Sequence, residues 1–323
     1  MPFTDLPLDA LREYKPQVSE PSDFDAFWSQ TIADARSALS APVLTPVRTP
    51  ISEIEIFDLT FSGFAGDPIK GWVMRPRGSV EPRATVVEYV GYNGGRGLPG
   101  EKLLWAASGY VHVVMDTRGQ GSGWGTGGDT PDPHGSGPAS AGFMTRGIEH
   151  PNDYYYRRVY TDAVRLIDHV RQFDFVDPER LAVTGASQGG GIALAVAGLV
   201  DGLAGVMPDV PFLSHFRRAV ELTPEPPFTE IVRYLAVHRG SIDRVFETLS
   251  YFDGVNFARR VHAPALFSVA LMDGIVLPST VFAAFNALPT QNRSIEVYPF
   301  NGHEGGQTEQ WIRQADWLTQ MLG

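Results

Sequence analysis

A five-residue segment constrains the fold of this chain more than any other feature: Gly185-Ala186-Ser187-Gln188-Gly189. The apolar run at 180–184 before it predicts a β-strand, and the pattern at 190–199 after it predicts a helix. A turn this short between a strand and a helix is strained and tightly packed, which explains the glycines on either side of the serine. The segment therefore predicts that Ser187 is a nucleophile, with the backbone N–H of Gln188 as an oxyanion-hole donor.

The rest of the chain alternates between apolar, β-branched runs and helical patterns. Strands are predicted at 54–61, 69–74, 84–90, 110–116, 180–184, 265–271 and 294–299. Helices are predicted at 24–39, 159–173, 190–199, 279–288 and 307–322. This alternation is typical of an α/β fold with a mostly parallel central sheet and helices on both faces. We expect a single domain over 1–323, with an N-terminal helical extension at 1–45 and a helical insertion at about 208–260.

The composition excludes several classes of protein. A chain of 323 residues, 43% of them hydrophobic, can bury a large core. The net charge of −11 disfavours binding to nucleic-acid phosphates, and the absence of cysteine excludes disulfides, thiolate metal sites and a cysteine nucleophile. The first residues show no secretory signal and no run of about 18 apolar residues occurs, so we expect a cytoplasmic protein with no membrane contact. We also expect neither a metal nor another cofactor.

The candidate general base is a histidine downstream of Ser187, because sites with this kind of turn follow the chain order serine, acid, histidine. His303 directly follows the last predicted strand and precedes the last helix, where a base can reach the serine. His262 enters a strand at the opposite end of the sheet. His215 and His238 lie in the insertion, where packing roles are expected.

The candidate acid is Asp273, which closely follows the predicted strand at 265–271. Its role would be to fix the tautomer of His303 and to stabilise the imidazolium. The alternative is that Asp273 caps the next helix, since aspartates at strand ends commonly form turns. Asp243 and Asp253 are poorer candidates because no strand leads into them.

Two glycine-rich loops are candidates for the remainder of the site. The loop after the third predicted strand offers the backbone N–H of Tyr92 as the second oxyanion-hole donor. The side chains of Tyr92 and Trp124 are candidates for substrate contacts, with loop packing as the alternative for each. Asp116 and Arg118 suggest a buried ion pair that holds the second loop, which we expect to run without regular structure through 119–142.

Short motifs are spread in order over almost the whole chain. They are 21–28, 118–121, 154–165, 185–190, Asp273 with 278–286, and His303-Glu304. Together they resemble the acetyl xylan esterase / cephalosporin C deacetylase family of carbohydrate esterases, which have the α/β-hydrolase fold. The resemblance implies that Ser187, Asp273 and His303 are a catalytic triad and that the amides of Tyr92 and Gln188 form the oxyanion hole. It also implies a cytoplasmic, ring-shaped homohexamer that deacetylates acetylated xylo-oligosaccharides and cephalosporin C.

One segment departs from the family pattern. Where the family commonly has Cys-Pro-Pro-Ser-Thr after the aspartate, this chain has Val276-Leu277-Pro278-Ser279-Thr280. The change leaves the three candidate residues intact but alters the surroundings of the acid.

The sequence favours a serine esterase that hydrolyses small acetyl esters through an acyl-enzyme on Ser187. Two alternatives stay open. A prolyl-oligopeptidase-like serine peptidase shares the serine turn and the order of the three residues, although such enzymes usually add a large propeller domain. The second alternative is a catalytically silent binding protein with this fold, although such proteins usually lose the serine, the acid or the histidine.

Overall fold

The computed structural model describes residues 5–38, 40–135 and 137–322, and its described strands form one nine-stranded sheet. The order across the sheet is β1-β2-β3-β5-β4-β6-β7-β8-β9. The strands are β1 (Val43–Val47), β2 (Ile54–Ser62), β3 (Pro68–Pro76), β4 (Arg83–Tyr89), β5 (Val111–Met115), β6 (Val176–Ala186), β7 (Gly205–Asp209), β8 (Ala265–Ala270) and β9 (Arg293–Tyr298).

The sheet is mostly parallel, as predicted. Strands β1, β2 and β3 pair antiparallel, and β3 pairs antiparallel with β5. From β5 through β9 every neighbouring pair is parallel, so the carboxyl ends of these strands lie along one edge. The predicted strands at 54–61 and 69–74 correspond to β2 and β3, which form an antiparallel hairpin with Phe61 opposite Ile69.

Helices cover both faces of the sheet. They are α1 (Leu8–Glu13), α2 (Phe24–Ser37), α3 (Leu104–Ala107), α4 (Tyr155–Val170), α5 (Gln188–Leu199), α6 (Phe216–Leu222), α7 (Phe228–Val237), α8 (Ile242–Ser250), α9 (Gly254–Ala258), α10 (Pro278–Ala287) and α11 (Gln307–Leu322). Successive residues of β4 point to opposite faces. Val87 packs in the large core with α4 and α5, whereas Val86 packs with Trp105 and Leu318 on the other face. Across the described ranges, no helix combines the length and the apolar character needed to cross a bilayer.

The sequence prediction missed the strands β1 and β7. As a result, the start of the helical insertion was wrong, because Pro208 belongs to β7 and the insertion follows that strand. A five-residue strand that ends in Pro-Asp gives no alternating pattern from which to recognise it. Helix α4 begins at Tyr155 rather than at 159, since two tyrosines fill its first turn and are fully buried. Residues 1–4 of the predicted extension and residue 39 of the predicted first helix lie outside the described residues.

The loop between β5 and α4 is held by a buried cluster of charges around Arg118. The Arg118 guanidinium is fully buried and donates to both carboxylate oxygens of Asp162, at 2.6 and 2.8 Å. It also donates to Asp67 at 2.8 Å and to Asp132 at 3.2 Å, and Asp132 in turn accepts from Arg158 at 2.8 Å. Burial disfavours the charge of Arg118, but the surrounding carboxylates outweigh it and raise the pKa of Arg118.

The predicted ion pair between Asp116 and Arg118 was wrong. Asp116 instead accepts from the backbone N–H groups of Arg96 and Asp129, at 2.8 and 2.5 Å, and from the Thr130 hydroxyl at 3.0 Å. Asp116 therefore organises the backbone of two loops, while Arg118 finds its partners on other elements. Although Asp116 and Arg118 are two residues apart in the sequence, their side chains belong to different hydrogen-bond networks.

Replacing Arg118 by glutamine should be strongly destabilising, because it leaves carboxylates buried without their cation. Removing one partner from a buried ion pair costs about 3–5 kcal/mol, and we expect a loss of that order in the free energy of unfolding, measured by urea denaturation. Arg12→Gln is the matched control, since Arg12 and its partner Asp9 have side chains that are 62% and 98% exposed and exposed pairs contribute about 0–1 kcal/mol. Equal effects of the two substitutions would contradict the assignment.

Candidate active site

Ser187 lies on the sharp turn between β6 and α5, as the sequence predicts. Its backbone dihedral angles are φ 56° and ψ −118°, a conformation that is strained for a residue with a side chain. The turn is held by hydrogen bonds from the Ser187 N–H to the Asp209 carbonyl, at 2.9 Å, and from the Phe212 N–H to the Ser187 carbonyl, at 3.0 Å. The end of β7 and the segment after it therefore hold the strained serine in place.

The glycines of this turn are required by close backbone contacts. A Cβ atom on Gly189 would lie 2.1 Å from the carbonyl oxygen of Tyr89 in β4. A Cβ atom on Gly185 would lie 2.4 Å from the backbone of Gly189. Both distances are far shorter than any tolerated contact, so a side chain at either position would push the helix away from the sheet.

His303 connects Ser187 to Asp273 by hydrogen bonds. Its Nε2 atom lies 3.0 Å from the Ser187 Oγ atom, and its Nδ1 atom lies 2.8 Å from the Asp273 Oδ2 atom. Asp273 follows β8 and His303 follows β9, so both side chains come from the edge of the sheet at which Ser187 is presented. In this arrangement, Nδ1 carries the proton donated to Asp273, and Nε2 is free to accept the proton of the serine hydroxyl.

Asp273 is buried and fully hydrogen-bonded. Its Oδ1 atom accepts from the backbone N–H groups of Ile275 and Val276, at 2.8 and 2.9 Å, which fixes the plane of the carboxylate. The alternative role as a helix cap is not what the structure shows, because α10 begins at Pro278 after Leu277, and the carboxylate that accepts from its first turn is that of Asp5, from the Ser279 N–H at 2.6 Å. The carboxylate is instead oriented toward His303.

The other histidines after Ser187 lie away from this arrangement. His262 is exposed just before β8, and His238 stacks on Tyr234 with ring centroids 4.2 Å apart. His215 Nε2 lies 3.1 Å from the Tyr14 hydroxyl, and burial lowers the pKa of His215 to about 4. The positions of His215 and His238 agree with the packing roles expected from the sequence.

The two predicted oxyanion-hole amides are available for a ligand. Gln188 is the first residue of α5, where helix N–H groups have no acceptor within the helix. The N–H of Tyr92 has no acceptor among the residues that the structure describes. The helix N-terminus adds a favourable partial positive charge beside Gln188. Both amides can thus donate to a developing negative charge.

Trp124 anchors the loop that carries Tyr92. Its indole N–H donates to the Tyr92 carbonyl at 2.7 Å. Its ring lies so close to Gly94 that a Cβ atom there would be 2.3 Å from it. Trp124 is nevertheless 55% exposed. Its contacts therefore show that it packs on the loop, while part of the residue remains open to solvent.

Gln120 and Gln188 form a buried pair that the sequence did not suggest. This pair connects the loop that carries Tyr92 to the helix that carries Gln188. Gln120 Nε2 donates to Gln188 Oε1 at 2.8 Å, and Gln188 Nε2 donates to Gln120 Oε1 at 3.1 Å. Gln120 Oε1 also accepts from the Asn93 N–H at 2.6 Å, and Gln188 Nε2 donates to the Val90 carbonyl at 3.1 Å. The residues on both sides of Tyr92 are thereby tied to the helix that carries Gln188. Sequence patterns carry no signal for such a pair.

The Tyr92 side chain lies in the protein rather than extending freely into solvent. Its hydroxyl donates to Glu230 Oε1 and accepts from the Phe143 N–H, each at 2.6 Å. Burial, together with the adjacent Glu230 carboxylate, raises the pKa of Tyr92. The hydroxyl therefore stays protonated. Glu230, in the helical insertion, was also missed by the sequence analysis.

Asp209 is a further acidic group near the serine turn. Its Oδ2 atom accepts from Gln314 Nε2 in α11 at 2.9 Å. Burial raises the pKa of Asp209 to about 7, although hydrogen bonds from Ser268 and Gln314 oppose the shift. Within the described residues, no group of three or more histidine, aspartate or glutamate side chains is arranged to hold a metal ion.

The sheet topology and the serine turn define this protein as an α/β-hydrolase. It belongs to the acetyl xylan esterase family, whose family model matches residues 1–321. It is therefore a carboxylic ester hydrolase.

Individual relatives support this assignment. An acetyl xylan esterase from a Paenibacillus species is 38% identical, with a TM-score of 0.91 over 97% of this chain and 99% of that one. Acetyl xylan esterase 1 from a Thermoanaerobacterium species is 31% identical, with a TM-score of 0.91 over 99% of this chain and 100% of that one. The acetyl esterase Axe7A of Xylanibacter ruminicola is 25% identical over 95% of this chain and 67% of its own length.

Asp273→Asn should abolish most activity while the fold is retained, because an amide that donates to His303 Nδ1 would hold the imidazole in the wrong tautomer. The corresponding change in a well-studied serine hydrolase lowers kcat by about 10⁴-fold, and we expect a loss on the order of 10³-fold or more in kcat for p-nitrophenyl acetate. Asp243→Asn, at an exposed position in α8, is the control and should retain activity. An Asp273→Asn variant with near-normal kcat would exclude this carboxylate from the reaction.

Proposed function

We propose that this protein is a serine esterase that removes acetyl groups from acetylated xylo-oligosaccharides and from acetyl esters of related small alcohols, such as cephalosporin C. The observation that carries the proposal is the hydrogen-bonded series Ser187–His303–Asp273, in a chain whose family is that of the acetyl xylan esterases. The named relatives support acetate as the acyl group. The proposal that cephalosporin C is a substrate rests on the family resemblance alone.

The reaction proceeds through an acyl-enzyme on Ser187. His303 Nε2 takes the proton of the hydroxyl as Ser187 Oγ attacks the acetyl carbonyl carbon. The tetrahedral intermediate collapses when His303 donates that proton to the departing alcohol oxygen, and the acetyl group stays on Ser187. Water then attacks the acyl carbon with His303 as base, acetate leaves, and Ser187 recovers its proton.

The amides of Tyr92 and Gln188 hold the oxyanion in both tetrahedral intermediates. Loss of one such donor lowers kcat by about 10²–10³-fold in a comparable enzyme, so their alignment is a large part of the rate enhancement. The glutamine pair and the Trp124 anchor support this role, because they hold both the N–H and the carbonyl of the peptide group that follows Tyr92 without using the Tyr92 N–H.

The departure at Val276-Leu277 is compatible with the proposal. The contact from this segment to Asp273 comes from the backbone N–H of Val276, which does not depend on the side chain. Val276 and Leu277 are both buried, so they pack inside the protein next to the acid. The side-chain change therefore affects packing near Asp273 rather than the hydrogen bonds that orient it.

We further propose a cytoplasmic location and a homohexamer, with a small acetylated molecule as the only partner required for the reaction. These proposals rest on the family resemblance. Light scattering coupled to size-exclusion chromatography tests the oligomer directly, with a mass of six chains expected and a monomeric or dimeric mass contradicting it.

Ser187→Ala should abolish hydrolysis of p-nitrophenyl acetate, because the hydroxyl that accepts the acetyl group is absent. Loss of the nucleophile costs about 10⁶-fold in kcat in a comparable triad enzyme, so we expect activity to fall to the background rate. Ser29→Ala, on the exposed face of α2, is the matched control and should behave as the wild type. Activity that survives in folded Ser187→Ala protein would overturn the proposed mechanism.

A substrate panel tests the proposed specificity. We expect acetyl esters to be hydrolysed faster than butyryl and octanoyl esters of the same alcohol, and acetylated xylo-oligosaccharides and cephalosporin C to release acetate. An aminoacyl-proline amide is included because a peptidase would cleave it. Preferential cleavage of that amide, or a preference for long acyl chains, would contradict acetyl ester hydrolysis as the function.

A further inference from the structure

Glu230 connects the helical insertion to the loop that carries Tyr92. It lies in α7, and its carboxylate accepts from the Tyr92 hydroxyl at 2.6 Å. The two residues are 138 positions apart in the chain. Among the described residues that bond the polar groups of Tyr92, Glu230 alone comes from the insertion.

Every polar group of Tyr92 except its N–H is bonded. The hydroxyl donates to Glu230 and accepts from the Phe143 N–H, and the carbonyl accepts from the Trp124 indole. The ring packs edge-on against Phe143 and Phe212, with centroids 5.6 and 6.3 Å away. The residue is thus fixed at the tip of its side chain and at its carbonyl, which constrains the direction of the N–H between them.

The surroundings of Glu230 form a fitted site for its carboxylate. Glu230 is only 6% exposed, and its second oxygen accepts from the Met144 N–H at 3.0 Å. A Cβ atom on Gly142 would lie 2.1 Å from Glu230 Oε1, so the loop backbone closes directly on the carboxylate. A buried carboxylate is costly unless it is fully hydrogen-bonded, and here both oxygens are bonded.

We propose that Glu230 is a positioning residue for the oxyanion hole: through the Tyr92 hydroxyl it holds the Tyr92 N–H in line with the developing oxyanion. This inference rests on the proposed function, in which that N–H is an oxyanion-hole donor. Glu230 itself does not touch the reacting atoms. Loss of its hydrogen bond leaves the Phe143 N–H as the remaining partner of the Tyr92 hydroxyl and loosens the tip of the side chain. A donor displaced by a fraction of an ångström stabilises the transition state less well.

A positioning role and a purely structural role differ in what they change. The oxyanion forms only in the transition state, so misplacing its donor lowers kcat and leaves KM nearly unchanged. A purely structural role lowers the melting temperature and the fraction of folded enzyme, but not kcat per folded active site. The two roles also differ in coupling, because an effect transmitted through the Tyr92 hydroxyl disappears once that hydroxyl is removed.

The test compares Glu230→Ala, Glu230→Gln, Tyr92→Phe and the double variant Tyr92→Phe/Glu230→Ala, with p-nitrophenyl acetate as substrate. We expect Glu230→Ala and Tyr92→Phe each to lower kcat by about 10-fold, with KM within about twofold of the wild type. The double variant should lose about the same 10-fold rather than 100-fold. Glu230→Gln keeps an oxygen that accepts from the Tyr92 hydroxyl and should recover most of the loss.

Controls separate failure of this inference from failure of the proposed function. Glu225→Gln, at an exposed position of the same insertion, should match the wild type. If Glu230→Ala does not fold, the hydrogen bond between Tyr92 and Glu230 is still tested by Tyr92→Phe, which removes its donor, and by Glu230→Gln, which changes its acceptor. Unchanged kcat in the folded variants, or fully multiplicative losses in the double variant, would overturn the role of Glu230. If Ser187→Ala is inactive in the same assays, the esterase mechanism still holds. Activity in Ser187→Ala would instead overturn the mechanism itself.

Discussion

The site depends on one close approach of two backbones, that of Gly189 at the start of α5 and that of Tyr89 at the end of β4. A Cβ atom at Gly189 would lie 2.1 Å from the Tyr89 carbonyl, so only glycine allows the helix to begin this close to the sheet. This contact places the strained Ser187 at the sheet edge and the first amide of α5 beside the loop that carries Tyr92. Ser187 is kept in its strained conformation by backbone hydrogen bonds to Asp209, the last residue of the neighbouring strand β7, and to Phe212, just after that strand.

Two kinds of interaction stabilise different parts of the molecule. Apolar packing holds the helices on both faces of the sheet, with valines of β4 buried on each side. The long loop between β5 and α4 buries Phe143, Met144 and Ile148 toward its end. Its glycine-rich first part is held by buried polar groups, chiefly Arg118 with its carboxylates and the pair Gln120 and Gln188. Such groups contribute little net stability but specify one arrangement, because each is costly to bury without its partner.

The sequence predicted the parts of the site that lie at fixed positions of the fold. Ser187, Asp273 and His303 each stand where a strand ends, so chain order and strand pattern were sufficient to select them. The partners of Arg118 could not be predicted, because the nearest acid in the sequence, Asp116, is bonded to backbone amides instead. Contacts such as those of Glu230 and Gln120 depend on how distant loops meet, and no local pattern encodes that. Strand β7 was missed because it has five residues, of which the first four are all buried, and such a segment gives no periodicity.

In the proposed mechanism, Ser187 is the nucleophile and His303 activates it within this geometry. This mechanism is tested most directly by treating the protein with a fluorophosphonate and locating the adduct by peptide mass spectrometry, while residual hydrolysis of p-nitrophenyl acetate is followed in the same sample. We expect one adduct per chain, on the peptide that contains Ser187, with activity lost in proportion to labelling. A fully active enzyme after complete labelling of Ser187, or inactivation by an adduct on another residue, would contradict the mechanism.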